Sequence, residues 1–212
     1  MNPNKRFLRP IGVLALGLCL IVGMVGAAEA QKKKKKKAGG TANVTTSVFA
    51  PIPDATASLN GQLVSTANVA GKKFKKTRVR DVDVTIQTTG NAGGAGGSAS
   101  ELYALLSSPN GTTVFLFGFL SGQSIGPLTL SDQSNLGLSG GPLAAPLDPN
   151  TLYPPYVGTA QPFGTFSSMN DGPATGTWTL RVVDTGAPPP TNTSILNSWT
   201  LKVVAGKKYL TQ

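Results

Sequence analysis

Two pentapeptides, Gly122-Gln123-Ser124-Ile125-Gly126 and Gly137-Leu138-Ser139-Gly140-Gly141, have the Gly-x-Ser-x-Gly spacing that holds a nucleophilic serine on a sharp strand-to-helix turn. Such a serine needs a base, and the base of a Ser-His-Asp centre is histidine. The 212 residues contain no histidine. A Ser-Lys centre needs a desolvated lysine, whereas nearly all lysines here lie in charge runs. With 26 glycines in the chain, chance matches to this spacing are expected. The absence of histidine, together with a single cysteine (Cys19), also leaves no His- or Cys-built zinc site and no intramolecular disulfide. Nine acids remain, and no spacing singles out a glycosidase pair among them, a weaker exclusion than that of a triad. The expectation is a chain without catalytic residues.

Four acids could hold calcium, Asp81, Asp83 and Asp171 foremost. Asp81 and Asp83 share one face of a strand, and Asp171, Asn170, Asp184 and loop carbonyls are further hard oxygen donors. No EF-hand spacing occurs, and solvated strand faces and turn caps account for the same residues.

The basic residues fall into two clusters. Lys32, Lys33, Lys34, Lys35, Lys36 and Lys37 form a run that repels itself and has nothing to bury, so disorder is expected. Such a run could hold the protein to an anionic polymer or envelope surface, or serve as a solvated spacer. No aromatic interrupts it, so the stacking that binds single-stranded nucleic acid is not indicated. Lys72, Lys73, Lys75, Lys76, Arg78 and Arg80 surround Phe74 and Val79, which reads as an exposed turn entering a strand, or as an anion-binding patch. The formal net charge of +10 therefore belongs to the N-terminus, a tail and one segment. The rest of the chain is mildly acidic.

The N-terminus has the layout of a secretory signal. Lys5, Arg6 and Arg9 precede an uncharged apolar run over 11–26, and Ala28-Glu29-Ala30 fits the small-x-small cleavage pattern. Cleavage after Ala30 gives a secreted mature chain, extracellular or periplasmic, with no cysteine. An uncleaved anchor is the other reading. Residues 31–50 read as a lysine-rich disordered tail, 51–205 as one domain and 206–212 as a C-terminal tail.

Within 51–205 the periodicity is that of strands. Val82, Val84 and Ile86 alternate with polar residues. Residues 101–108 and 113–120 flank Pro109-Asn110-Gly111, a hairpin signal. The second of these is nearly all apolar, as in a strand buried on both faces. Trp178, Leu180 and Val182 alternate, as do Trp199, Leu201 and Val203. Residues 121–160 read as long loops around short strands. No amphipathic helix is evident, so a β-sandwich or barrel is expected, with both tryptophans in its core.

These pieces stand in a recognisable order. Ile52-Pro53-Asp54, Val82 to Ile86, Glu101-Leu102, Ser108-Pro109-Asn110-Gly111-Thr112, Gly176-Thr177-Trp178 through Asp184, and Leu196 through Trp199 to Leu201 follow one another. In that order they resemble the P-domain (Homo B domain) that follows the catalytic domain of subtilisin-like proprotein convertases and occurs in secreted bacterial proteins. The resemblance spans about residues 51–205. It implies an all-β, jelly-roll-like β-sandwich with no catalytic residue of its own. Trp178, Leu180, Asp184, Trp199, Leu201, Pro109 and Gly111 would be structural motif residues. Its implied role is an accessory, stabilising or protein-binding module, with a secreted protease as the partner. A binder of extracellular glycan or anionic envelope polymer is the alternative. Two departures are visible: Thr88-Thr89 stands where the family often has Thr-His-Thr, and Glu101 replaces its Asp.

Overall fold

The computed structural model describes residues 39–56, 60–90, 98–122, 124–138, 150–152, 156–186 and 194–207. The chain alternates between two packed sheets. One holds β1 (Gly40–Ile52), β3 (Arg78–Thr89), β6 (Leu128–Ser131), β9 (Gly158–Ala160) and β11 (Ser194–Gly206), in the order β1-β11-β3-β6-β9. The other holds β2 (Gly61–Val69), β4 (Leu102–Ser107), β5 (Thr113–Gly118) and β10 (Gly176–Asp184), in the order β2-β10-β4-β5. A parallel pair, β7 (Gly137–Leu138) and β8 (Thr151–Leu152), stands outside both. Connections cross between the two large sheets except at the β4–β5 hairpin and from β6 to β9, where the chain returns to the first sheet by way of the β7–β8 pair; this is jelly-roll-like wiring. The only helical turns among the described residues are 3-10 segments at Ser98–Ser100 and Phe166–Met169.

The period-two pattern explains the packing. Alternate residues of a strand point to opposite faces, so Val82, Val84, Ile86, Trp199, Leu201 and Val203 project from one sheet onto Trp178, Leu180 and Val182 of the other. All are at most 1% exposed. Large aromatic side chains contribute most to such a core, each burying on the order of 150–250 Å².

Three expectations are corrected. Residues 40–50 are not tail but strand: β1 pairs antiparallel with β11 from Gly40↔Ala205 to Ile52↔Ser194. Its small and polar residues suit an edge strand and gave no strong apolar signal, and the ladder to β11 is what holds them. At the other end Gly206 belongs to β11 rather than to a tail. Residues 113–120 are not buried on both faces, because Phe115 is only half-buried and Phe119 is 52% exposed. Within 121–160, β6 and β9 extend the first sheet through a parallel pair. The signal segment and the six lysines at 32–37 lie outside the described residues.

Candidate interaction face

The motif residues form the frame. Trp178, Leu180, Trp199 and Leu201 are core residues. Pro109 and Gly111 build the β4–β5 turn: Gly111 has φ +86°, and its N–H donates to the Ser108 carbonyl at 2.9 Å. Pro109 also touches β10, where a Cβ on Gly176 would lie 2.8 Å from the Pro109 Cβ. That contact ties the Ser-Pro-x-Gly-Thr turn to the Gly-Thr-Trp strand.

Asp184 ends β10 at 2% exposure, and its Oδ1 accepts from the Gly186 N–H at 2.8 Å. Burial pushes its carboxyl up to about 6; the Gly186 amide opposes the shift, and the charges of Glu101 and Asp54 add to it.

The proposed calcium set is not assembled. Asp171 bonds Arg80 at 2.8 Å, while Asp83 bonds the Lys202 ammonium at 2.5 Å. Burial, then the Asp83 charge, raises the Asp81 carboxyl, with Lys202 opposing; the hydrogen bond and charge of Asp83 raise the Lys202 ammonium. Among the described residues no three His, Cys, Asp or Glu side chains group as a metal site. The Asp81/Asp83 face already has a cation of its own in Lys202.

Ser124 lies in a coil ahead of β6, with no helix after it, so the elbow geometry is missing there. Ser139 lies outside the described residues.

The second basic cluster is a turn and a strand start. Phe74 is buried at 3%, while Lys72, Lys73, Lys75 and Lys76 beside it are exposed and Arg78 and Arg80 half-buried.

Sequence reasoning missed an aromatic strip on the outer face of the second sheet. Tyr103 of β4 and Phe115 of β5 have ring centroids 6.1 Å apart. Phe119 lies 6.3 Å from Tyr103, and Phe163 lies 5.8 Å from Phe115. Phe119 is 52% exposed and Phe163 49%. Phe119 also has φ +56°, a left-handed conformation unusual for a bulky side chain, and its N–H is held by the Leu102 carbonyl at 2.8 Å. Residues 163–164 complete the edge, donating to the Leu116 and Phe115 carbonyls of β5 at 3.0 and 2.7 Å. Beside the strip a depression of about 340 Å³ is lined by Asp132, Gln161, Pro162, Gly164 and Thr165. Both Asp132 oxygens serve the frame, accepting from the Phe166 and Ser167 N–H groups and the Thr165 hydroxyl at 2.8–2.9 Å. The signal available in the sequence was the aromatic type at outward positions, Tyr103 and Phe115, of two hairpin strands. The hairpin pairs Leu105 with Phe115 and Tyr103 with Gly118. Gly118 leaves room for the strip, since a Cβ there would meet the Phe115 ring at 2.7 Å. A row of exposed aromatics can desolvate against another macromolecule; it carries no nucleophile or base.

No family model and no curated protein matches this chain. Solved structures similar to it include two from Aeromonas sobria. One is the Aeromonas sobria serine protease and chaperone complex, with 19% identity and a TM-score of 0.42 over 79% of this chain and 27% of that one. The other is the serine protease of Aeromonas sobria, with 20% identity and a TM-score of 0.39 over 78% of this chain and 27% of that one. This chain therefore spans little more than a quarter of either, and likenesses this distant carry no argument about its activity.

Proposed function

We propose that this chain is a secreted, non-catalytic accessory module of P-domain type that binds a protein partner, a subtilisin-like protease, through the strip of Tyr103, Phe115, Phe119 and Phe163. The observation that carries the binding reading is the strip itself. Contiguous exposed apolar surface marks interaction sites, and interface cores are enriched in aromatics. Phe119 is held half-exposed in a disfavoured backbone conformation, the kind of local strain that clusters at functional positions. The family reading rests on the ordered motif pieces and the jelly-roll wiring. The non-catalytic reading rests on the missing histidine.

A glycan could also stack on aromatic rings. The neighbouring depression serves it less well, because the Asp132 oxygens that would chelate sugar hydroxyls are taken by internal donors.

The test is affinity capture from the secretome of the source cells with the mature chain and with Phe119→Ser/Phe163→Ser. A subtilisin-like protease retained by the first and lost by the second supports the proposal. Equal capture of the protease by both, a glycan in its place as the species lost with the strip variant, or peptide-library turnover that survives repurification overturns it; a glycan retained by both bears only on the basic cluster around Phe74.

A further inference from the structure

The strand register gathers basic residues that are far apart in sequence. β2 runs into the turn at 71–76, which leads to β3. There the Phe74 N–H donates to the Gly71 carbonyl at 3.1 Å, and the Thr77 N–H and hydroxyl donate to the Phe74 carbonyl at 3.0 and 2.6 Å. The buried Phe74 ring plugs this turn into the core, so Lys72, Lys73, Lys75 and Lys76 are displayed on a fixed base. The Gly39 N–H donates to the Lys73 carbonyl at 3.0 Å, which brings the start of β1 to the same place. Gly40 pairs with Ala205 and Gly206 with Arg78, so β11 ends there too, and the Arg80 guanidinium bonds the Lys207 carbonyl. Lys72, Lys73, Lys75, Lys76, Arg78 and Lys207 thus share one end of the sandwich.

Three of the acids lie at the other end. Asp184 closes β10, Leu102 pairs with it directly after Glu101, and Asp54 lies just past the end of β1. Nearer the basic end, Asp171 is bonded to Arg80 and Asp83 to Lys202, and Asp81 follows Arg80 on β3. Among the described residues no carboxylate forms an ion pair with the four turn lysines. Unneutralised like charges this close raise the local potential, which extends about one Debye length, roughly 8 Å at physiological salt.

We infer that this end of the sandwich is a binding site for an acidic polysaccharide, whose carboxylate or sulfate groups the turn lysines and Lys207 engage. Flexible ammonium groups suit anions spaced along a chain, because they act as point charges without a fixed fork geometry. The surface lacks what other polyanions would use. Its one aromatic, Phe74, is buried, so no ring is offered to a nucleic-acid base. The exposed large apolar residues, Phe49, Val64, Phe119, Val157, Phe163 and Ile195, all lie off this turn, so none is offered to a bilayer. The six lysines at 32–37 precede Gly39 in the sequence, and the experiment separates their contribution.

The experiment measures binding of the mature full chain to polygalacturonate and to heparin over a salt series, with neutral dextran, single-stranded DNA and phosphatidylglycerol vesicles as comparators. The expected result is salt-sensitive binding to an acidic polysaccharide, weakened about tenfold or more in Lys72→Gln/Lys73→Gln/Lys75→Gln/Lys76→Gln with the 32–37 run intact, and with a shallower salt slope. The polygalacturonate and heparin arms distinguish carboxylate from sulfate. Unchanged affinity in the turn variant, with all binding lost when lysines 32–37 become Gln, overturns the assignment. Tighter binding to DNA or to vesicles than to either polysaccharide also overturns it. If the fourfold variant does not fold, Lys72→Gln/Lys75→Gln is measured on the same terms, with a weakening of about threefold expected and unchanged affinity counting against the site.

Discussion

The Trp199 indole N–H donates to the Ser65 hydroxyl at 2.9 Å, joining β11 of one sheet to β2 of the other. Trp178, the other buried tryptophan, has no hydrogen-bond partner for its Nε1 among the described residues. The two tryptophans occupy similar core positions and differ in this one respect. Replacing each by phenylalanine removes the same volume, so the difference isolates the indole N–H. Trp199→Phe is expected to destabilise by about 1–2 kcal/mol more than Trp178→Phe, because it also strands the Ser65 hydroxyl. Denaturant unfolding of both variants checks this; equal losses would show that the inter-sheet bond contributes nothing.

Gly176 and Gly111 both have positive φ, yet only Gly176 is crowded. A Cβ at Gly176 would press on Pro109, whereas nothing lies within 4 Å of one at Gly111. Gly111→Ala is expected to cost about 1 kcal/mol from backbone strain alone. Gly176→Ala adds overpacking, for a loss on the order of 2–4 kcal/mol. Thermal midpoints of the two variants decide, and similar shifts would remove the Pro109 contact from the explanation.

Asp184 carries a pH signature. Its folded carboxyl titrates near 6, above the ordinary value of 3.8. Between those values the folded chain binds the extra proton, so stability falls as pH rises from about 4 to 6 and the penalty persists above 6. Asp184→Asn keeps an acceptor for the Gly186 amide and removes the charge. It should flatten that decline and raise stability at pH 7 by up to about 3 kcal/mol. An unchanged pH profile in unfolding midpoints would contradict this origin of the shift.

Phe119 separates binding from folding. Phe119→Gly relieves its left-handed backbone and removes an exposed ring, so the unfolding free energy should move by no more than about 1 kcal/mol. Partner capture should fall sharply. A variant that folds and still captures its partner would take Phe119 out of the interface.

The Lys202–Asp83 bond bears on calcium. With an ammonium already on this carboxylate and, among the described residues, no third acid beside it, we expect calcium and chelator to leave the thermal midpoint unchanged within error. A calcium-dependent rise in the unsubstituted chain that is lost in Asp83→Asn would place an ion there after all.

Much of the core was legible from residue order. Period-two alternation at Val82, Val84 and Ile86, and at the two tryptophan strands, fixes which side chains go inside, because a one-residue slip would turn every apolar group to solvent. The Pro-Asn-Gly turn is equally local. β1 and β2 were not legible, since strands of small and polar residues gain their order from ladder partners far along the chain. The strip of Tyr103, Phe115, Phe119 and Phe163 was hidden for a related reason: apolar type alone cannot distinguish a residue under a second sheet from one facing water.

The sequence by itself determined the chemistry this chain lacks, because no arrangement of 212 residues without histidine makes a Ser-His-Asp centre. It also determined the all-β character, through alternation and turn residues. Only the tertiary structure decided where charge and aromatic surface accumulate. Antiparallel pairing returns the start of β1, the start of β3 and the end of β11 to one end of the sandwich, so lysines and arginines from separate segments become neighbours there, and the acids Asp54, Glu101 and Asp184 are left at the opposite end.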